Sequence, residues 1–250
     1  MDKNLTYIAI LLDRSGSMAG SEKDVVGGVN TFLDDQSKLT SEAIVTIARF
    51  DTDYETIYED INVRAARRLT GADFVPRGGT ALCDAMMRLS KHVGAKLAAM
   101  PEEKRPGQVI FLVFSDGEEN QSQETTHEQA AAMVKEQEKV YSWKFLFFGM
   151  GIDGLAVGGG VGMKGFTSSK ISSGIARSAK VASAYVGNSR MGKSSVADQM
   201  YATCDVNDMA NSRGIEEFEK DLAEFAKDLA AQGQPGEKKD DENPNSSGPA

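Results

Sequence analysis

The chain has 250 residues, 40% of them hydrophobic and 26% charged, with a formal net charge of −9. Those values suit a soluble globular protein that buries its own core without a disulfide or structural metal. They disfavour general nucleic-acid binding, which needs a basic face to displace counterions, and no stretch reaches the roughly 18 apolar residues of a membrane span. The two cysteines, Cys83 and Cys204, fit no zinc or redox spacing and read as buried free thiols of a reducing compartment. The apolar run after Met1-Asp2-Lys3 is too short for a signal peptide, so a cytoplasmic location is expected.

Tyr7 to Leu12 is an unbroken apolar run that ends in Asp13-Arg14-Ser15-Gly16-Ser17-Met18. This predicts a buried strand stopping at a loop. The loop carries a carboxylate at Asp13 and hydroxyls at Ser15 and Ser17, the oxygen donors that a hard divalent cation prefers. Ser21 with Asp24 predicts a capped helix start, and Val25, Val29, Phe32 and Leu33 then recur at helical spacing. Ala43 to Phe50 predicts a strand. Tyr54 to Tyr58 predicts a second, antiparallel to it at the sheet edge, after a tight turn at Asp51-Thr52-Asp53.

Gly78-Gly79-Thr80 forms a loop able to approach a ligand closely. A helix should follow, with Leu82, Ala85, Met86, Leu89, Val93 and Leu97 on one face, stopping before Pro101. Pro101 to Gly107 is a charged loop, and Val109 to Phe114 suits a strand buried on both faces. That strand runs into Ser115-Asp116-Gly117-Glu118-Glu119-Asn120, which repeats the opening design of buried strand, acid and glycine. Glu118 and Glu119 beside Asp116 could tune the charge at a metal or hydrogen-bond the loop, and simple exposure is the favoured expectation. Thr125-Thr126-His127-Glu128 fits a capping box for a helix to about Val140, and Phe145 to Phe148 is the next buried strand. His92 and His127 are expected on solvated helix faces. Strands alternating with amphipathic helices imply βα units in a mostly parallel sheet covered on both faces. In such sheets ligands bind beyond the carboxyl ends of strands.

The glycine-rich stretch from Gly158 to Gly162 is expected to be a mobile loop rather than a regular helix. A short strand near Gly165 to Ser168 and a closing helix to about Gly187 come next, then irregular chain over 188–210. Ile215, Phe218, Leu222, Phe225 and Leu229 form one apolar stripe on a helix over residues 212–232, capped by Asn211 or Ser212. The stripe suits burial against the domain body or pairing with another chain, which would give an oligomer. Residues 233–250 have the composition of a disordered tail.

Asp13, Ser15, Ser17, Thr80 and Asp116 together resemble the metal-ion-dependent adhesion site of the von Willebrand factor type A (vWA) domain, written Asp-x-Ser-x-Ser, then Thr, then Asp. The likeness runs over about residues 5–150, extending to 190. Pro76-Arg77-Gly78-Gly79-Thr80-Ala81-Leu82 and Asp116-Gly117-Glu118-Glu119-Asn120 are similar to the short vWA proteins of bacteria and their phages. The resemblance implies an α/β fold with a doubly wound, mostly parallel Rossmann-like sheet and one antiparallel edge strand over residues 1–190. A linker and C-terminal helix over 191–232 and the tail would follow. It also implies Mg²⁺ or Mn²⁺ at the five residues, without catalysis. Three neutral hydroxyls leave the ion electron-hungry, and in the family a partner protein's Glu or Asp takes the open position. Neither a membrane nor a nucleic acid is an expected partner.

Two phosphate-binding lookalikes compete. Gly149-Met150-Gly151-Ile152-Asp153-Gly154 matches G-x-G-x-x-G but follows a late strand, where a plain turn accounts for the glycines. Gly187-Asn188-Ser189-Arg190-Met191-Gly192-Lys193-Ser194 matches the P-loop, which works only between a strand and a helix, whereas Ile175 to Val186 reads as a helix. The alternative function is therefore a Mg²⁺-dependent phosphoryl-transfer or nucleotide-hydrolysing enzyme using residues 187–194. The opening loop lacks the second acid of an Asp-x-Asp phosphatase nucleophile.

Overall fold

A computed structural model describes residues 1–117, 119–150, 154–168 and 171–193, together with 220, 223, 224, 227, 228, 230 and 231. Six strands, β1 (Asp2–Asp13), β2 (Glu42–Phe50), β3 (Tyr54–Asn62), β4 (Pro106–Ser115), β5 (Lys144–Met150) and β6 (Lys164–Ser168), form one sheet in the order β3-β2-β1-β4-β5-β6. β3 is antiparallel to β2, and the other pairings are parallel. The expected doubly wound α/β sheet with an antiparallel edge strand is thus present.

Side chains that alternate along β1 and β4 split the core into two layers. Ile8, Ile10, Leu12, Ile110, Leu112 and Phe114 pack with α1 (Glu22–Lys38) and α5 (Ile171–Arg190) on one face. Tyr7, Ala9, Leu11, Phe111 and Val113 pack with α2 (Leu82–Ala99) and α3 (His127–Tyr141) on the other. Both strands are buried on both faces, which is why they read as continuous apolar runs instead of alternating ones. Chain order reverses at β1, with β2 on one side and β4 on the other. The crevice beyond the carboxyl ends of β1 and β4 is therefore the topological switch point, where this class of sheet binds ligands.

Several local expectations shift. Ser21 stands at the N-cap of α1, but its hydroxyl donates back to the Met18 carbonyl instead of capping forward. The capping box of α3 lies one residue later than the spacing suggested. Thr126 Oγ1 accepts from Gln129 N at 3.3 Å and Gln129 Oε1 accepts from Thr126 N at 2.9 Å. The expected loop over Gly158 to Gly162 is in part a short helix, α4 (Gly154–Gly160). A Cβ on Gly158 would meet Phe147 Cβ at 3.0 Å and Gly165 Cα at 3.3 Å. Glycine lets the helix lie directly on β5 and β6, so tertiary packing overrides its poor helix propensity. Gly162, with φ +77, ends the segment in a turn in which Met163 N donates to Gly158 O at 2.8 Å.

Gly187 to Arg190 form the last turn of α5, so a helix and not a strand leads into the P-loop lookalike. Lys193 of that segment pairs with Asp228 and lies 3.8 Å from Glu224. The described residues between 220 and 231 are helical. The apolar stripe from Ile215 to Leu229, its Asn211 or Ser212 cap, Cys204, Glu118, residues 151–153 and the 233–250 tail lie outside the described residues. Among the described residues, no helix is long and apolar enough to cross a membrane.

Candidate metal centre

All five sequence-predicted residues meet at the switch point. Asp13 is the last residue of β1 and fully buried. A 3₁₀ turn over Gly16–Met18 folds the chain back so that Ser15 Oγ and Ser17 Oγ lie 3.0 Å apart. Ser17 Oγ donates to Asp116 Oδ1 at 2.8 Å, which links the end of β1 to the end of β4. Thr80 is buried in the loop before α2. A Cβ on Gly117 would lie 3.0 Å from Thr80 Oγ1, 3.7 Å from Asp13 Oδ2 and 3.8 Å from Ser15 Oγ. Three oxygens from two segments therefore face one small space that the missing side chain of a glycine on a third segment leaves open.

The electrostatics of that space are unbalanced. Asp13 is pushed up to about 6, first by burial and further by the Asp116 carboxylate, against hydrogen bonds from Ser115 and Ser15. Burial also raises Asp116, opposed by its bond from Ser17. Asp116 Oδ2 is buried and has no hydrogen-bond partner among the described residues, an unusual and costly state for a carboxylate oxygen. Arg14, the cation within the same loop, pairs with Asp51 at 2.7 Å and Glu55 at 2.8 Å instead. Two acids, three hydroxyls and an orphaned carboxylate oxygen suit a hard divalent ion. Gly16 and Ser17 are exposed, so the space opens to solvent above its buried floor.

Other residues hold the donors in place, and simple patterning does not reveal them. Ser115 Oγ donates to Asp13 Oδ2 and accepts from Gly117 N at 3.2 Å. Asn120 Oδ1 accepts from Thr80 N at 3.0 Å, while Asn120 N donates to Thr80 O at 3.0 Å. Glu119 is not simply exposed. Its Oε2 accepts from Cys83 N at 2.7 Å, at the start of α2, and from Ser122 Oγ at 2.6 Å. Burial works against its charge, but hydrogen bonds from Ser122 and nearby amides hold its pKa below the usual range. Cys83 is a buried free thiol, and burial followed by the Glu119 charge pushes it up to about 12, which makes it unreactive.

A second cluster lies away from the switch point. Glu59, Asp60 and His92 each offer an atom within 4.8 Å of the others. His92 is thus half-buried against β3 and not on a solvated face, with Nε2 3.8 Å from Asp60 Oδ1, while His127 is exposed as expected. Asp60 already accepts from the Tyr7 hydroxyl and pairs with Lys96 at 3.0 Å. Asp60 has φ +54, and the β2–β3 register shifts nearby; this break in strand alternation is what sequence periodicity could not anticipate.

No family model and no curated protein matches the chain. Solved structures do resemble it. A von Willebrand factor type A protein from Catenulispora acidiphila is 14% identical, with a TM-score of 0.53 over 71% of this chain and 42% of its own. A variant of the PilB minor pilin from Streptococcus sanguinis is 10% identical, with a TM-score of 0.55 over 76% of this chain and 62% of its own. The pilus adhesin SpaC from Lactobacillus rhamnosus GG is 11% identical, with a TM-score of 0.55 over 73% of this chain and 30% of its own. The chain thus spans less than two thirds of each of these proteins. At such identities the likeness establishes the fold, and that fold is the vWA type.

Proposed function

We propose that this chain is a divalent-metal-dependent protein-binding module that grips an acidic residue of a partner through a bound ion. Asp13, Ser15, Ser17, Thr80 and Asp116 would hold Mg²⁺ or Mn²⁺. The observation that carries this is the gathering of their oxygens around one open space, with Asp116 Oδ2 buried and without a hydrogen-bond partner among the described residues. When bound, the ion supplies a Lewis-acidic position for an incoming carboxylate. Ser115 keeps Asp13 oriented, and Asn120 holds the backbone of Thr80. Exposed Gly16 and Ser17 leave the site reachable by a protein surface. A location in the cytoplasm and action by binding rather than turnover fit the composition and the donor set.

The test is Mn²⁺ binding followed by capture. Wild type should bind Mn²⁺ in solution, read by loss of the free-ion electron paramagnetic resonance signal, and Asp116→Ala should not. An acidic-peptide library presented on beads should retain wild type with Mn²⁺ and release it with EDTA. A wild type that keeps its fold but binds no Mn²⁺ removes the basis of the proposal. Metal binding without carboxylate capture leaves the ion but overturns the gripping role.

A further inference from the structure

Behind the donor residues lies a group of six charged side chains. Asp51, at the turn after β2, is 1% exposed, and Arg14 is 2% exposed. Asp51 Oδ2 lies 2.7 Å from Arg14 Nε and accepts from Arg77 Nε at 2.9 Å, while Oδ1 accepts from Asp53 N at 2.6 Å. Glu55 joins Arg14 at 2.8 Å, Arg49 at 2.6 Å and Arg77 at 3.0 Å. Arg77 also reaches Asp53 at 3.2 Å. Three arginines and three acids leave the group electrically neutral.

Its members come from three segments, and two of them carry metal donors. Arg14 sits between Asp13 and Ser15, and Arg77 lies three residues before Thr80. Backbone bonds follow the same path. Arg77 N donates to Arg14 O at 2.8 Å, Gly16 N to Gly78 O at 3.1 Å, and Ala81 N to Asp51 O at 3.0 Å. Gly79 N donates to Thr52 Oγ1 at 3.1 Å, and Gly78, with φ +65, has no room for a Cβ beside Thr52. Asp51 thus touches the Ser15 segment through one arginine and the Thr80 segment through another, and its own carbonyl holds the residue after Thr80.

We propose that Asp51, held between Arg14 and Arg77, is a positioning residue that sets the Thr80 loop against the Ser15–Ser17 loop and thereby tunes divalent-ion affinity from outside the donor set. This rests on the metal-binding function proposed above. Simple Coulomb attraction predicts the opposite sign for one arm: removing the cationic Arg77 should tighten binding of a cation. Positioning predicts that its loss weakens binding.

The probe is Mn²⁺ titrated into the full chain, with wild type, Arg77→Ala and Asp51→Asn compared and Lys38→Ala, remote from the site, as control. Loss of a partner that orients metal ligands typically costs about 10–100-fold in affinity. Asp51→Asn should fall in that range, Arg77→Ala should be weaker than wild type, and Asp51→Asn should add little once Thr80→Ala is present. In EDTA, the Gly16 and Ala81 amides should exchange hydrogen faster in both variants. Arg77→Ala that binds Mn²⁺ as well as or better than wild type, or unchanged exchange at both amides, overturns the proposal. Arg77 is half exposed, so its variant tests the idea even if Asp51→Asn does not fold. Wild type that binds no Mn²⁺ is a separate failure, that of the metal function itself.

Discussion

Gly117→Ala separates the ion from the fold. Gly117 is not among the glycines with positive φ, so its backbone accepts alanine. The added methyl carbon would lie 3.0 Å from Thr80 Oγ1, 3.7 Å from Asp13 Oδ2 and 3.8 Å from Ser15 Oγ. Only the Thr80 contact is tight, and a shift of a few tenths of an ångström in that side chain relieves it. Metal-free Gly117→Ala should therefore match wild-type stability within about 1 kcal/mol, since lower unfolded-state entropy offsets a small squeeze. The methyl nonetheless fills the space that these oxygens face. An ion at 100 times its Kd adds about 2.7 kcal/mol to the folded state. For a domain of this size that is a rise of about 5–10 °C in Tm. Scanning fluorimetry in EDTA and then in excess Mn²⁺ reads both quantities. Wild type should shift by that amount and Gly117→Ala should not. A full shift in Gly117→Ala would show that the ion binds elsewhere.

Ser115→Ala removes the hydroxyl that donates to buried Asp13 Oδ2. Hydrogen bonds to charged groups contribute about 1.5–3 kcal/mol, so urea unfolding in EDTA should show a loss of that order, and an unchanged midpoint would deny Ser115 that part. Glu55 is held down to about 2 by hydrogen bonds from Arg14 and then Arg49. A lowered folded-state pKa means that its stabilising effect is present above the unfolded value of about 4.5 and is lost as pH falls toward about 2. Glu55→Gln should flatten the acid limb of Tm against pH in that window, with a small amplitude because Glu55 is partly exposed and screened; identical limbs would contradict the pairing. Gly158→Ala places a Cβ 3.0 Å from Phe147 Cβ and should cost about 1–3 kcal/mol by overpacking, although alanine favours helix. A stabilised Gly158→Ala would mean that α4 does not press on β5.

How much was legible in the chain alone depended on how local the cause was. The runs Tyr7–Leu12 and Val109–Phe114 announced central strands because both faces of each are buried and no alternation was needed. The periodicity of Val25, Val29, Phe32 and Leu33 likewise located α1, since one face of a helix records its burial in spacing. Asp13, Ser15, Ser17 and Asp116 lie just past such strands, but it was the resemblance to the vWA metal site that joined them with Thr80 into one set. The favoured readings of Glu119 (exposure over loop hydrogen bonding), of His92 and of α4 failed for one shared reason. Each is shaped by a neighbour distant in sequence: Cys83 N for Glu119, Asp60 for His92, and Phe147 for Gly158.

The sequence by itself determined the alternation of strands and helices, the oxygen-only character of the candidate donor set and the resemblance to vWA domains. It did so because burial and side-chain chemistry are written residue by residue. Only the tertiary structure decided that five residues from three separate loops share one space, that Gly117 keeps it open, and that Asp51 ties the loops together through Arg14 and Arg77. Those are distances across a switch point, created when β1 and β4 pair side by side, and no spacing along the chain encodes them.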